Sequence, residues 1–249
     1  NGLAGYWKLD DGVGTIARDS SGNGNNGTLY NNPTWSSTVS SKIKFYNPYS
    51  LSFDGSDDYV GTASRTWGFS TTATASAWIK TAGVNKAVFS QSWPQVQDEF
   101  MLYVWTDGKM STITSKGPGN YNARLSSTAV NNNAWHHVVG VMTGTSQCSG
   151  LLIYVDGVKE TGTCTAYGST TEILDSTARD VRIGNRSWSS YTSEMFTGNI
   201  DDVRLYSRVL SSSEIASLYA GNQSTGSGVY VLGSALDING NLAIRSGTL

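Results

Sequence analysis

Residues 151–162 read LLIYVDGVKETG and place Asp156 and Gly157 directly after an apolar run. An Asp-Gly pair readily takes the positive φ angles of a type I′ turn, which joins two antiparallel strands through two residues. The stretch therefore predicts a β-hairpin whose turn lies at these two residues. Such a hairpin is typical of antiparallel β-proteins and indicates that class for the chain around it.

The two cysteines of the chain, Cys148 and Cys164, flank this hairpin almost symmetrically. We expect them to face each other near the open end of the hairpin. A disulfide between them would indicate an oxidising compartment. The alternative is that both are buried free thiols.

Short strand-like runs separated by turn residues recur on both sides of the hairpin, and only four of the 249 residues are proline. This spacing predicts an all-β fold, an antiparallel sandwich of two sheets. In the run 135–142 the residues that would face either side of a strand are apolar, apart from two histidines. This run is therefore the expected central strand. The predicted strands are 5–9, 49–53, 58–61, 74–80, 87–91, 100–105, 135–142, 151–155, 181–184 and 201–206.

One segment near the end of this region has the pattern of a helix, SSSEIASLYAG at 211–221. Ser211 stands three residues before Glu214, which is the spacing of a capping box. Ile215 and Leu218 form an apolar side, and Gly221 suits the end of a helix. We therefore expect one short C-terminal helix that closes the domain.

The composition changes after this helix. Residues 222–228, NQSTGSG, predict a flexible linker. Residues 229–249 contain apolar positions around an Asn-Gly pair and predict the start of a β-repeat segment. The expected organisation is a domain at 1–221, the linker at 222–228 and a possible repeat segment at 229–249.

Composition also argues against several partners. The chain is 14% charged with a net charge of −2, and it has no basic stripe, so we expect no nucleic-acid partner. No apolar run approaches the roughly 18 residues of a membrane span, so we expect no membrane insertion. The chain begins without a Met or a signal peptide, which indicates a piece of a longer exported precursor.

Seven stretches match a known family in the family's order. They are GLAGYWKLDDGVGTIARDSSGNGNNGTL, SLSFDGSDDYV, ASAWIK, AWHHVVGVM, LLIYVDGVKETG, VRIGN and GNIDDVRLYSRVLSSSEIASLY. Over about residues 2–219 the chain resembles the laminin-G-like jelly-roll domains of the concanavalin A-like lectin/glucanase superfamily. The resemblance implies two packed antiparallel sheets, one of them concave. It also implies carbohydrate or protein binding, often with one structural Ca²⁺, in an extracellular or cell-surface protein.

The family pattern suggests a calcium site built from the loop DSSGNGNNG at 19–27 and an aspartate of NIDDVRLY. Carboxylate, amide and carbonyl oxygens are the ligands that Ca²⁺ prefers, and the loop supplies them through Asp19, Asn23 and Asn25. No cluster of Cys and His favours zinc instead. The alternative is that Asp19 and the asparagines only form Asx turns.

The remote ligand of this site is expected to be Asp201 rather than Asp202. Alternate residues of a strand share a face, so Asp201 is in phase with the apolar Val203. Asp202 is in phase with Arg204, a residue that we expect to face solvent. A carboxylate on the core side needs a partner or a metal ion. The alternative is that Asp201 sits at the strand end and caps a loop.

A second acidic stretch, FDGSDDYV at 53–60, also resembles a metal-binding loop through Asp54, Asp57 and Asp58. Asp-Gly and Ser-Asp are ordinary turn sequences. We therefore interpret this stretch as a hairpin turn between two strands.

We expect the chain to be non-catalytic. Glucanases on the family scaffold carry Glu-x-Asp-x-x-Glu on one strand, which supplies the paired carboxylates of a retaining glycosidase, and this chain lacks that motif. His136 and His137 are adjacent and point to opposite sides of a strand, so we interpret them as structural. No Gly-x-Ser-x-Gly nucleophile elbow is present.

Aromatic residues indicate a sugar-binding face instead. Tyr103 and Trp105 share one phase of their strand, and Leu102 and Val104 take the other, so the two aromatic rings line the concave surface if the Leu/Val side is core. The alternative is that the aromatic residues pack loops onto the sandwich. The predicted glycan site consists of Trp93, Tyr103, Trp105, Trp188 and Tyr191, with Gln95, Asp98 and Arg186 as polar partners.

These features together predict a non-catalytic, lectin-like module that binds a glycan or polysaccharide. The expected setting is a secreted or cell-surface bacterial protein, with calcium stabilising the fold. The alternative is a structural or adhesive domain that binds a surface protein or acts as a spacer.

Overall fold

The computed structural model describes residues 2–67, 69, 71–93, 96–116, 120–144, 147–168, 178–186 and 194–221. In these parts two antiparallel sheets pack face to face as a jelly-roll sandwich with one short C-terminal helix, as the sequence predicts. The predicted linker at 222–228 and the repeat segment at 229–249 lie outside the described residues. No helix in the described ranges is long and apolar enough to cross a membrane.

The strands of the sandwich follow the predicted runs and add several more. They are β1 (Leu3–Trp7), β2 (Ile16–Ala17), β3 (Gly27–Tyr30), β4 (Thr34–Ser36), β5 (Ser50–Asp54), β6 (Tyr59–Thr62), β7 (Thr72–Lys80), β8 (Lys86–Trp93), β9 (Val96–Val104), β10 (Lys109–Lys116), β11 (Tyr121–Ala129), β12 (Trp135–Thr143), β13 (Leu151–Val155), β14 (Val158–Lys159), β15 (Cys164–Tyr167), β16 (Asp180–Ile183) and β17 (Thr197–Tyr206). A 3₁₀ turn (Cys148–Gly150) precedes β13, and helix α1 (Ser212–Tyr219) follows β17.

The strands form an eight-stranded and a nine-stranded sheet. The eight-stranded sheet has the order β14-β13-β12-β7-β17-β5-β4, and β1 pairs with β17. The nine-stranded sheet has the order β15-β11-β10-β9-β8-β16-β6-β3-β2. Many neighbours in each order are distant in sequence, so the architecture depends on long-range pairing.

The main core lies between the two sheets. It is built from the inward phase of each strand, with Trp7, Ile79, Phe89 and Leu102 all fully buried. Strand β12 lies inside its sheet, between β7 and β13, as predicted from the apolar residues on both of its faces. The residues of β12 that face away from the main core are also apolar, because helix α1 covers that side of the eight-stranded sheet.

Helix α1 begins as the sequence predicts. The Ser211 hydroxyl accepts from the Glu214 backbone N–H at 3.3 Å, and the Ser211 N–H donates to the Glu214 carboxylate at 2.8 Å, which completes the capping box. Ala220 ends the helix, and Gly221 follows with φ of +75°. A side chain at Gly221 would also meet the Lys42 carbonyl, so glycine is required there.

The hairpin at β13–β14 is confirmed. Val155 pairs with Val158, and Asp156 and Gly157 have φ angles of 51° and 77°, as a type I′ turn requires. The Gly157 backbone lies close to the Tyr219 ring of helix α1, so the turn also supports the helix.

The predicted disulfide between Cys148 and Cys164 is present, with a Cα–Cα distance of 5.7 Å, but its expected place was wrong. Cys148 lies in the turn that leads into the eight-stranded sheet, whereas Cys164 begins β15 of the nine-stranded sheet. The hairpin ends early at Lys159, and the chain then crosses to the other sheet. The disulfide therefore joins the two sheets and does not close the hairpin.

Strand β17 contains a bulge that corrects a second expectation. The pairing with β7 shifts between Asp201 and Arg204, and Asp202 has φ of 49°. The bulge breaks the simple alternation of the strand. Arg204 still alternates with Val203 and Leu205 of the main core, but the opposite side of the sheet is covered as well. Asp202 and Arg204 are therefore buried, not solvent-facing, and Asp201 is fully buried as well.

Candidate functional site

The outer face of the nine-stranded sheet, turned away from the main core, carries Tyr103 and several further aromatic side chains. Leu102 and Val104 of β9 lie in the main core, as predicted, so Met101 and Tyr103 point outward. Register extends this face across the sheet, because Met101 pairs with Ile113 of β10 and with Ser90 of β8. Directly paired residues share a face, so the same surface continues along the neighbouring strands.

Four aromatic side chains form a continuous line on this face, which we call the aromatic row. The ring centroids of Tyr103 and Trp105 are 5.5 Å apart, those of Trp105 and Tyr121 are 6.4 Å apart, and those of Tyr121 and Tyr167 are 5.1 Å apart. Tyr103 is buried, whereas Tyr167 is 54% exposed. The row thus changes from a packed end to an accessible end.

Local sequence and long-range pairing both build the row. Tyr121 of β11 lies directly opposite Tyr167 of β15, which places their rings side by side. Trp105 and Tyr121 pack against a small apolar cluster that includes Ile113 and Ala123.

A charged pair lies at the buried end of the row. The Arg186 guanidinium contacts the Glu194 carboxylate at 3.2 Å, and both side chains are largely buried. Burial, and then the nearby Glu194 carboxylate, raise the pKa of the Tyr103 hydroxyl. Arg186, a predicted polar partner, is therefore joined to Tyr103 through Glu194, a residue that no sequence motif singled out.

The structure brings together only part of the predicted glycan site. Tyr103, Trp105 and Arg186 converge around the packed end of the row. Trp93 lies at the end of β8 and Asp98 lies in β9, where Asp98 pairs with Lys116; only the backbone of these two residues is described. The remaining predicted members lie outside the described residues; they are Gln95, Trp188 and Tyr191.

Two members of the row, Tyr121 and Tyr167, were not predicted. No local alternation marks Tyr167, because no residue of its strand β15 is buried. Their meeting depends on the pairing of β11 with β15, and no local pattern encodes that pairing.

A second aromatic group lies at the opposite end of the same face. Tyr30 and Tyr59 stack with centroids 4.6 Å apart, and the Arg182 guanidinium lies 4.8 Å from the Tyr59 centroid. Arg182 also contacts Asp180 at 2.9 Å. Strands β16 and β8 separate β6, which carries Tyr59, from β9, which carries Tyr103.

The loop at 19–27 holds its aspartate by hydrogen bonds. The Asp19 carboxylate accepts from the Tyr6 and Ser21 backbone N–H groups, from the Ser21 hydroxyl and from the Asn25 N–H, all at 2.8–2.9 Å. This is the Asx-turn arrangement, the second of the two alternatives for the loop. The bonds to β1 and within the loop fix the loop against the start of the sandwich.

The two predicted asparagine ligands also bind the strand. Asn23 Nδ2 donates to the Leu3 carbonyl at 2.9 Å, and Asn25 Nδ2 donates to the Ala4 carbonyl at 2.7 Å. Asn25 is only 6% exposed, and its Oδ1 is buried without a partner among the described residues. Its amide orientation is fixed, because a flipped amide would set oxygen against the Ala4 carbonyl.

Asp201 has different neighbours from this loop. Its Oδ2 accepts from Asn47 Nδ2 at 2.7 Å. Within the described part of the chain, its Oδ1 and the Asn47 Oδ1 are buried without partners. Burial, and then the Asp202 carboxylate, raise the pKa of the Asp201 carboxyl well above its usual range.

Partnerless oxygens of a carboxylate and an amide are the donor set that Ca²⁺ prefers. The surroundings of Asp201 and Asn47 therefore fit a calcium ion. The Asp19 carboxylate fits one less well, because N–H and O–H donors already occupy its oxygens.

The acidic stretch at 53–60 is a turn but not a hairpin turn. Strand β5 belongs to the eight-stranded sheet and β6 to the nine-stranded sheet, so the stretch crosses between sheets. In the described residues, Asp54, Asp57 and Asp58 are the one group of three acidic, His or Cys side chains with ligand atoms within 4.8 Å of one another. Asp58 accepts from the Asp54 N–H at 3.0 Å, and Asp54 accepts from Ser56 N–H at 2.7 Å, as in a turn.

The two histidines lie in β12 of the other sheet, away from the aromatic row. His136 Nδ1 lies 2.8 Å from the Asp156 carboxylate, which also accepts from the His137 N–H. His137 is buried between Trp78 and Tyr219, and burial and then Arg204 lower its pKa to about 3. Both positions support the strand and its hairpin.

Comparison with known proteins places this geometry in a family. A model of the concanavalin A-like lectin/glucanase superfamily matches residues 54–216, which is more than half of the chain. No curated protein is similar enough in sequence to count as a match.

Several solved structures share the fold at low sequence identity. Domain 4 of AbnA, an extracellular arabinanase from Geobacillus stearothermophilus in complex with arabinotriose, is 15% identical with a TM-score of 0.61 and covers 87% of this chain and 98% of its own. The binding domain of botulinum neurotoxin DC, in complex with SialylT, is 12% identical with a TM-score of 0.62, over 90% and 52% of the two chains.

Trypanosoma rangeli sialidase, in complex with 2,3-difluorosialic acid, is 18% identical with a TM-score of 0.60, over 88% of this chain and 32% of the enzyme. This chain thus spans about half of the toxin domain and about a third of the sialidase. Identities this low establish the fold alone. Because the family model covers more than half of its length, the chain belongs to the concanavalin A-like lectin/glucanase superfamily.

Proposed function

We propose that the domain binds carbohydrate on the outer face of the nine-stranded sheet, with the aromatic row as its platform. The observation that carries the proposal is the continuous line of rings from Tyr103 to Tyr167 across neighbouring strands. Aromatic rings offer apolar faces that suit the C–H faces of sugars, and the tyrosine hydroxyls offer polar ends for sugar hydroxyls. Rings held on strands keep their spacing without a ligand, which lowers the entropy lost on binding.

The charged pair at the buried end adds polar groups to this platform. Arg186 and Glu194 fix each other's orientation. A guanidinium held in this way donates to sugar hydroxyls and a carboxylate accepts from them, each with fixed geometry. The family and the sugar complexes of three structural neighbours agree with this class of ligand.

The proposal is for binding without catalysis. Two glutamates of the sandwich have structural roles: Glu160 binds Ser127 and Thr128, and Glu214 binds Arg208 and caps helix α1. A glycosidase needs two carboxylates facing each other across its substrate. Glu194, beside the row, is paired with Arg186 instead.

The proposal also includes an extracellular or cell-surface setting and a structural calcium ion. The disulfide supports the first point, because disulfides persist in oxidising compartments. The partnerless oxygens of Asp201 and Asn47 support the second. Those two residues would hold the ion, and the ion would neutralise a buried carboxylate.

A glycan array probed with the purified domain in calcium tests the binding proposal, and Tyr167→Ala is the informative variant. Tyr30→Ala is the matched control, since Tyr30 is a similarly exposed tyrosine on the same sheet face, 43% against 54%. We expect the wild type and Tyr30→Ala to bind the same glycans and Tyr167→Ala to bind at least about tenfold more weakly.

Two results would overturn the proposal. Absence of binding across the array would favour the structural or adhesive alternative. Loss of binding in Tyr30→Ala, with Tyr167→Ala unchanged, would move the site to the other end of the sheet.

A further inference from the structure

Two tyrosines from neighbouring strands lie face to face on the surface of the nine-stranded sheet. Tyr30 of β3 pairs directly with Tyr59 of β6, and their ring centroids are 4.6 Å apart with an interplanar angle of 11°. Directly opposite residues of an antiparallel pair share a face, so the strand pairing brings the two rings together. Tyr30 is 43% exposed and Tyr59 is partly exposed, so reagents in solution can reach both rings. We call these two residues the tyrosine pair.

Gly61 makes room for the tyrosine pair. It lies on β6 two residues after Tyr59, and so on the same face of the strand. A Cβ atom at Gly61 would lie 3.0 Å from Tyr30 Cε2 and 3.1 Å from Tyr59 Cε2, which is too close for comfortable packing. A glycine here therefore lets the two Cε2 atoms converge over one point of the backbone. Each Cε2 is an ortho carbon of its phenol, next to the carbon that bears the hydroxyl.

The Arg182 guanidinium contacts the Tyr59 ring as well. Its central carbon lies 4.8 Å from the Tyr59 ring centroid, and Arg182 also contacts Asp180 at 2.9 Å. Strand β16, which carries Arg182, and strand β3, which carries Tyr30, pair with opposite edges of β6. Both contacts are attractive and together favour one position of the Tyr59 ring. The tyrosine pair is therefore arranged face to face before any reagent acts on it.

We propose that the tyrosine pair is a modification site, at which a peroxidase and hydrogen peroxide join Tyr30 to Tyr59 as a dityrosine. Each phenol gives up one electron and one proton, and the phenoxyl radical carries part of its unpaired spin on the ortho carbons. The two Cε2 atoms form a carbon–carbon bond, and the hydrogen of each Cε2 then moves to its phenol oxygen. The two electrons and two protons reduce one hydrogen peroxide to two waters. Because the rings are held together, the radicals combine without a diffusional encounter.

The sheet has a second stacked pair, Tyr121 and Tyr167 of the aromatic row. Its centroids are 5.1 Å apart and its rings are inclined by 23°, so these rings are farther from face-to-face contact. We therefore expect the crosslink to form first at the tyrosine pair. The inference does not rest on the proposed function, since the tyrosine pair and Gly61 lie outside the aromatic row.

Treatment of the dilute purified domain with a haem peroxidase and hydrogen peroxide tests the inference. We expect the intact mass of the monomer to fall by two hydrogen atoms, and dityrosine fluorescence to appear with it. Trypsin cuts after Lys and Arg, so the crosslink should join peptide 19–42, which contains Tyr30, to peptide 45–65, which contains Tyr59.

Three variants locate the new bond. Tyr59→Phe lacks one of the two phenols and should lose the crosslink between the two peptides. Tyr46→Phe is the matched control and should keep the crosslink, because Tyr46 belongs to the same peptide and is 85% exposed but is not part of the pair. Gly61→Ala retains both phenols but displaces their rings, so it should lose most of the crosslink. Thermal melting curves show whether each variant is folded.

Four results would overturn the inference. One is an equal yield of the crosslink between these peptides in the wild type and Tyr59→Phe, and another is an equal yield in the wild type and folded Gly61→Ala. A third is coupling found only in dimers, because it would then depend on encounters between molecules. The fourth is earlier coupling of Tyr121 to Tyr167, because close stacking would then not select the site.

Discussion

The Arg204 guanidinium donates a 3.1 Å hydrogen bond to the carboxylate of Asp202, two residues earlier on β17, with both side chains almost completely buried. Residues two apart share a face of a strand, which brings these two side chains together. Arg204 also donates to the Tyr6 hydroxyl at 3.0 Å and lies 4.4 Å from the centre of its ring. The pair thus ties β17 to β1 beneath the surface.

Breaking this buried pair should be costly. Arg204→Met leaves the Asp202 carboxylate buried without a cation, so we expect the free energy of unfolding to fall by about 3–5 kcal/mol. The double variant Asp202→Asn/Arg204→Met should lose less, because no unpaired charge remains. Urea denaturation measures both values.

The matched control for this prediction is Lys109→Gln. Lys109 pairs with Asp107 at 2.7 Å, and both side chains are exposed, by 37% and 43%. Exposed pairs contribute about 0–1 kcal/mol, so Lys109→Gln should change stability little. A similar loss for Arg204→Met and Lys109→Gln would show that burial does not determine the effect.

Opening the disulfide should also destabilise the fold. Cys148 and Cys164 are 16 positions apart, and a crosslink that closes a loop of about 15 residues contributes roughly 3 kcal/mol through the unfolded state. We expect Cys148→Ala/Cys164→Ala to be less stable by about that amount, and to unfold at the same urea concentration with and without a reductant. Mass spectrometry that found two alkylatable thiols in the untreated protein would contradict the crosslink itself.

Acid should weaken the fold through His137. Its pKa in the folded protein is lowered to about 3, whereas an unfolded histidine titrates near 6.5. The unfolded chain therefore takes up a proton first as the pH falls. The stability that neutral His137 contributes is complete above about pH 6.5 and declines by roughly 1.4 kcal/mol per pH unit below it.

The variant His137→Gln isolates this effect, since it cannot titrate. Between pH 6.5 and 5, the stability of the wild type should fall by about 2 kcal/mol relative to His137→Gln. Chemical denaturation at several pH values measures the difference. Parallel curves for the two proteins would contradict this, because they would mean that His137 has the same pKa in the folded and the unfolded protein.

Calcium should act through Asp201. We expect millimolar CaCl₂ to raise the melting temperature of the wild type, and EDTA to reverse the change, since a ligand that binds only the folded state stabilises it. Asp201→Asn should abolish the response while remaining folded, because an amide is cheaper to bury than a charged carboxylate. Asp19→Asn should retain the response, and its loss there would return the ion to the loop at 19–27.

Local features of the sandwich could be predicted from the sequence. The type I′ turn at Asp156–Gly157 and the capping box from Ser211 to Glu214 depend on neighbouring residues only. The outward phase of Tyr103 follows from the alternation of one strand in the same way. In each case the decisive contacts lie within a few residues.

Features that depend on contacts between distant parts of the chain could not be predicted. Asp202 and Arg204 are buried because the side of the eight-stranded sheet opposite the main core is covered as well, and the alternation of one strand does not show this. Cys164 forms its disulfide across the sandwich because β15 pairs with β11 in the nine-stranded sheet, and that pairing depends on long-range contacts. For the same reason Tyr167 reaches the candidate site although nothing near it in the sequence indicates a partner.

The disulfide between the two sheets has a mechanical consequence. A module pulled from its two ends would unravel into an extended chain, but the residues between Cys148 and Cys164 would carry no load while the bond is intact. At about 3.4 Å per residue, that shortens the fully stretched length by on the order of 50 Å. The hairpin at Asp156–Gly157 would therefore remain shielded from tension after every other strand had been drawn out.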